Sequence, residues 1–228
     1  MKKRKQFTPA PKMAIKRPLL AQMVQDALSR KCIREAVLYL VSYIFCLRVP
    51  SEALPMIRVG SGENHGQQSE ICCKDGRVQL KLLERKNKPE GSLIQRDCWC
   101  SKCKVTCPVH GLWPLVEPLK NGTQLFKGVS GQDAICAIRQ CLKRLGVKGS
   151  SKYTTKAFRR GHARQLADEG ASLCTILAAG EWGSKAFMVY QDHCSIERNA
   201  VLEAHLAESD DSQGEEGSSE SSSDDEEE

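Results

Sequence analysis

Apolar residues recur at helical spacing over 19–28 and again over 32–47, where the run from Ala36 to Leu47 is dense enough to read as a buried helix. Pro50, followed by Ser51 and Glu52, predicts a break and a new short helix. Residues 60–68 are polar and glycine-rich, a loop. Three extended candidates follow at 71–73, 77–83 and 92–96, separated by turns at Lys74-Asp75-Gly76 and Lys88-Pro89-Glu90-Gly91. Short extended runs with turn chemistry between them predict a three-stranded antiparallel meander. Helical spacing returns in a short piece at 112–119 and then at 134–145, 155–170, 172–179, 185–192 and 197–207. The fold class expected is mainly α with a small three-stranded antiparallel β-sheet. No internal repeat is present.

Composition divides the chain into three parts. Residues 1–17 are basic, contain proline and lack periodicity, which predicts a disordered arm. Residues 18–207 carry the periodic pattern and can bury one substantial core. Residues 208–228 are serine and acid, a solvated tail. The net charge of +6 conceals an asymmetry: 11 of the 28 acids lie in that tail with no base, leaving +17 on the remainder. Such a body attracts polyanions. The longest apolar stretch is too short to span a bilayer, so no membrane partner is expected. Lys2–Lys5 with Lys16-Arg17 reads either as a nuclear import signal or as a plain basic arm. A nuclear location is expected.

The start of the chain has no apolar signal core, so its twelve cysteines are expected to be thiols or metal ligands in a reducing compartment. Five donors, Cys98, Cys100, Cys103, Cys107 and His110, fall within 98–110. Thiolates and imidazole so close together favour tetrahedral zinc. Two sets of four fit: Cys98, Cys100, Cys107 and His110, or Cys100, Cys103, Cys107 and His110. With no glutamate placed to activate water, the zinc is expected to be structural, with no cofactor for catalysis. Cys136, Cys141 and Cys174 lie on apolar helix faces and read as core residues.

The remaining chemistry lies in Leu47-Arg48-Val49-Pro50-Ser51-Glu52-Ala53-Leu54, then Lys156-Ala157-Phe158-Arg159-Arg160-Gly161-His162, then Ala186-Phe187-Met188-Val189-Tyr190. Arginine, then basic-x-x-Arg, then tyrosine, in this order and spacing over residues 30–195, resembles the catalytic domain of tyrosine recombinases, the phage-integrase family. The resemblance implies that family's fold, and the metal cluster, basic arm and acidic tail suggest its eukaryotic mobile-element type. It implies that Arg48 and Arg159 are the two phosphate-gripping arginines, a role suited to a planar guanidinium fork. Lys156 stands where the family usually has histidine. The i, i+3 spacing puts it on the Arg159 face, but a charged lysine is a poor proton acceptor. Lys86 matches the hairpin lysine that protonates the leaving oxygen, with Lys88 as the alternative register. In Ala179-Gly180-Glu181-Trp182, Glu181 has the usual distance to the tyrosine, whereas Trp182 has the N–H that donates to phosphate. Tyr190 is the nucleophile.

The activity implied is DNA cleavage and rejoining through a 3′-phosphotyrosyl intermediate, in site-specific recombination or mobile-element integration. The partners implied are DNA and further copies of the chain in a synaptic oligomer. Only residues 1–29 precede the resemblance, where family members usually carry a helical domain that closes around DNA; a fragment or a decayed copy is the expectation that follows. Two other readings stand beside it: a catalytically decayed DNA-binding module, and a zinc-centred protein-interaction module.

Overall fold

The computed structural model describes residues 12–60, 69–85 and 88–182, all within one compact unit that spans residues 1–191. Helix α2 (Ile33–Ile44) is its centre, and every residue from Ala36 to Ile44 is buried. A helix apolar all round must be covered on all sides. Helix α1 (Arg17–Ser29) starts on a proline in its first turn and turns back through Lys31 at φ 59°, which sets α1 against α2. Helix α4 (Gly131–Arg144) begins with a reciprocal capping box between Ser130 and Asp133. Helices α5 (Lys156–Asp168) and α6 (Leu173–Gly180) complete the described helical part, with Ser172 capping the Thr175 amide.

The packed body starts earlier than the sequence pattern indicates. Ile15 is fully buried, and its amide donates to the Ala157 carbonyl at 3.0 Å. A Cβ at Gly161 would collide with the Ile15 backbone, so this glycine lets an extended strand of chain lie directly on α5. Ile15 thus belongs to the packed body, although it falls within the stretch 1–17 expected to be disordered. The run Met13-Ala14-Ile15 between two lysines is too short to carry a period, which is why this contact is invisible in the pattern.

The sheet has four strands in the order β1-β2-β3-β4, and it is mixed. Strands β2 (Glu70–Lys74), β3 (Arg77–Leu82) and β4 (Ser92–Arg96) form the expected antiparallel meander, with Ile71 opposite Leu80 and Leu80 opposite Ile94. The turn Asp75-Gly76 has both residues at positive φ, as a two-residue hairpin requires. The inward face alternates cleanly: Val78, Leu80 and Leu82 are buried along β3. Strand β1 (Ile57–Arg58) adds in parallel to β2, correcting the three-stranded, purely antiparallel expectation. Two residues are too few to register as a period.

The short helix expected at 112–119 is also smaller. A single wide turn at Pro108–Leu112 leads into α3 (Trp113–Val116), and a second wide turn, with Pro50 at its start, occupies Val49–Ala53. Among the described residues no helix is long and apolar enough to cross a membrane. The helices expected at 185–192 and 197–207 lie outside the described residues.

Candidate functional site

Arg48 follows α2 through Cys46, whose φ of 52° turns the chain out of the helix. Glu52 then holds it twice, accepting from the Arg48 amide at 2.7 Å and from its guanidinium at 3.0 Å. The same buried carboxylate accepts from Arg85 through Nε at 3.3 Å and Nη2 at 3.2 Å. Arg85 stands at the root of the β3–β4 hairpin and also donates to Glu181 at 2.6 Å. Burial alone would lower the Arg85 pKa, but the two carboxylates outweigh it and the net shift is upward. Glu181 receives Lys88 as well, at 2.9 Å. Burial works to raise its pKa, yet the Lys88 and Arg85 bonds prevail and lower it. The hairpin is thus tied at its root to the Arg48 turn and to the end of α6.

Arg159 lies on α5 at the other side of this turn. Arg48, Lys156 and Arg159, together with Pro50, Ser51 and Thr155, line one cavity of about 260 Å³. The residues at i and i+3 of α5 face it together, as the helix period requires. Lys156 is exposed at the helix start, whereas Arg159 is 95 % buried, only 5 % of its surface being accessible. The guanidinium sits over the Trp182 ring at 5.4 Å and reaches the Gly180 carbonyl only at 3.5 Å. Its Nε is buried without a partner, and no carboxylate pairs with it among the described residues. Desolvation lowers its pKa.

Between the two residues competing for the same role near the end of α6, the contacts separate their work. Glu181, at φ 46°, turns its carboxylate to Arg85 and Lys88, and Trp182 packs under Arg159. His162, the histidine next to the basic-x-x-Arg motif, does not line the cavity. It is fully buried, edge-on to Tyr43 at 4.8 Å and 6.3 Å from the Trp99 ring. Desolvation, with Arg96 and Arg17 nearby, pushes its pKa down to about 3, so it is neutral. Lys86 and Tyr190 lie outside the described residues. Glu52 and Arg85 are residues of the site that sequence reasoning missed. Only Glu52 left a trace, standing one helical turn after Arg48.

The second site is the loop after β4. Cys98, Cys100, Cys107 and His110 bring their donor atoms within 4.8 Å of one another. Cys98 Sγ is 3.3 Å and Cys100 Sγ 3.0 Å from His110 Nδ1. Cys107 Sγ lies 3.7 Å from both Cys98 Sγ and His110 Nδ1. Tetrahedral zinc with bonds near 2.3 Å has ligand separations of about 3.8 Å, so three thiols and an imidazole in this arrangement are fit to hold a metal such as zinc. Cys103 is outside the cluster, which selects the first of the two ligand sets. Local backbone fixes the two ligands, Cys107 and His110, that both sets share. The wide turn at Pro108–Leu112 hangs from the Cys107 carbonyl, which accepts from Gly111 and Leu112 at 2.8 and 3.0 Å. Gly111 lies so close to the Val105 and Lys104 carbonyls that a Cβ would not fit.

No family model matches this chain, and no curated protein matches it. Among solved structures it is similar to the XerH site-specific recombinase bound to difH substrate in a pre-cleavage complex, with a TM-score of 0.58 and 13 % identity. The match covers 83 % of this chain and 54 % of that one, so the chain spans about half the length of the recombinase. At that identity the likeness establishes the fold: mainly helical with a small mixed sheet, similar to a recombinase catalytic domain.

Proposed function

We propose that this chain breaks and rejoins DNA strands through a phosphotyrosine formed on Tyr190. The observation that carries the reading is the cavity, where Arg48 meets Lys156 and Arg159 of a distant segment, with Arg159 buried and without an acidic partner among the described residues. A buried guanidinium without a counter-ion is costly, and an anion entering the cavity supplies what it lacks. Two forks and an ammonium suit the non-bridging oxygens of a phosphodiester. The start of α5 adds its dipole to them.

In this reading the Tyr190 phenolate attacks phosphorus, the bond to the 5′ oxygen breaks, and Lys86 gives that oxygen its proton. The strand end leaves as a 5′-hydroxyl while the 3′ side stays on Tyr190. Attack by a 5′-hydroxyl on the phosphotyrosine reverses these steps, so no outside energy is needed. Trp182 holds Arg159 in place, and the Glu52–Arg85–Glu181 chain anchors the hairpin that carries Lys86. The cysteine and histidine cluster holds one structural zinc. A mobile-element origin, a nuclear location and assembly of several copies on DNA belong to the same proposal.

A nicked DNA substrate that loses its short 5′-hydroxyl fragment after cleavage prevents rejoining. It is expected to trap a covalent adduct, absent from Tyr190→Phe and from Arg159→Ala. One observation favours a second reading, a DNA-binding module that no longer cleaves. Lys156 occupies the usual histidine position, and His162 is buried elsewhere as a neutral ring. DNA binding without any trapped adduct over varied substrates decides for that second reading. Adduct formation that rises in Lys156→His marks a weakened enzyme.

A further inference from the structure

The metal loop is joined to the body by its own side chains, and the joints meet on α5. Trp99, between the ligands Cys98 and Cys100, donates its indole N–H to the Thr106 carbonyl at 3.0 Å, which folds the loop over itself. Its ring packs on the main core near His162 and lies 6.0 Å from the Arg17 guanidinium. His162 is one turn beyond Arg159 on α5. At the other end of that helix, Glu169 pairs with both Lys102 of the loop and Arg17 of α1. Gln165 on α5 bonds Glu169 and accepts from the Arg17 amide. The 98–110 loop thus touches α5 at His162 and at Glu169, and α1 at Arg17.

This loop has no regular secondary structure between Arg96 and Pro108. Without a cross-link, ordering such a segment costs backbone entropy that one tryptophan and one ion pair offset poorly. With a metal, four points of the loop are fixed together, and Trp99 and Lys102 are presented as a rigid unit.

We infer that the metal held by Cys98, Cys100, Cys107 and His110 fastens the loop through Trp99 and Lys102 onto α1 and α5, so that metal occupancy controls the order of the helix presenting Lys156 and Arg159. None of the four ligands lines the phosphate cavity, so the control acts along α5 rather than by contact. Its consequence for DNA rests on the proposed function; the fastening itself does not.

The test uses the full chain with zinc, with cobalt(II) in its place, and after extraction by a chelator under reducing conditions. One zinc per chain is expected, and the cobalt form should show thiolate charge-transfer bands and the visible bands of a tetrahedral site. Extraction should speed amide exchange over 162–170 by about 5–30-fold, the effect of losing one or two kcal/mol of local stability. Lys102→Ala and Trp99→Ala, loaded with zinc, should keep the cobalt spectrum and reproduce part of that increase. If Trp99→Ala does not fold, Lys102→Ala and extraction of the unchanged chain still decide. Absence of bound zinc, or equal exchange in loaded and extracted protein, overturns the inference. So does a loss of DNA affinity on extraction without faster exchange, which would mean the loop contacts DNA itself. Faster exchange with unchanged DNA affinity supports the fastening and counts against the DNA reading instead.

Discussion

Two arginines in this molecule are equally buried and differ in what surrounds them. Arg85, at the hairpin root, is enclosed by Glu52 and Glu181, and its charge is matched within the protein. Arg159, across the Arg48 turn on α5, has among the described residues an indole face and one distant carbonyl. Arg96 lies between the extremes, donating to carbonyls of Ile44 at 3.1 Å and Ala179 at 2.8 Å. Those carbonyls sit at the ends of α2 and α6, where the helix dipole favours a cation. A buried charge that is fully paired belongs to the scaffold. One left incomplete beside an open cavity is poised for a ligand.

The largest expected effect comes from exchanging the two roles. Arg85→Met should destabilise the fold by roughly 3–5 kcal/mol, because it strands the buried Glu52 carboxylate with Arg48 alone. Arg159→Met, of similar shape, should leave stability unchanged or raise it while abolishing tight DNA binding. Denaturant unfolding and DNA titration on both variants check the pair. Equal destabilisation by both would erase the contrast.

A second prediction concerns His162, which lies on the Arg159 helix but faces the core. Its folded pKa of about 3 is below the ordinary 6.5, so between these values the unfolded chain binds more protons. Stability is therefore fully present above pH 6.5 and declines as pH falls toward 3. His162→Leu should flatten that decline relative to the parent, measured by unfolding at a series of pH values. An unaltered profile would show that water reaches the ring.

The smallest effect is expected at Trp182. Removing the ring in Trp182→Ala takes away a cation–π contact of about 0.5–2 kcal/mol, which should weaken DNA binding without changing its salt dependence. Substitution by phenylalanine should restore most of the affinity. If it does not, the indole N–H contacts the ligand and the ring is more than a support for Arg159.

Much of this organisation was legible in the order of residues. The period of α2, α4 and α5, the meander from β2 to β4 and the presence of a Cys/His cluster depend on neighbours within a few positions, where side-chain period and turn chemistry act directly. The basic-x-x-Arg pair shares a helix face for the same reason. What only the tertiary structure decided are the contacts between segments remote in the chain. Arg85 meets Glu52 33 positions away and Glu181 96 positions away, and nothing local marks that pairing. Whether Cys98 or Cys103 joins Cys100, Cys107 and His110 is decided by where the folded loop places each thiol. Strand β1 exists because β2 offers it an edge, and Ile15 is ordered because Gly161 leaves room. Local sequence sets the period of an element, whereas the partner of a buried charge is selected by whichever distant group the packed core brings within hydrogen-bond reach.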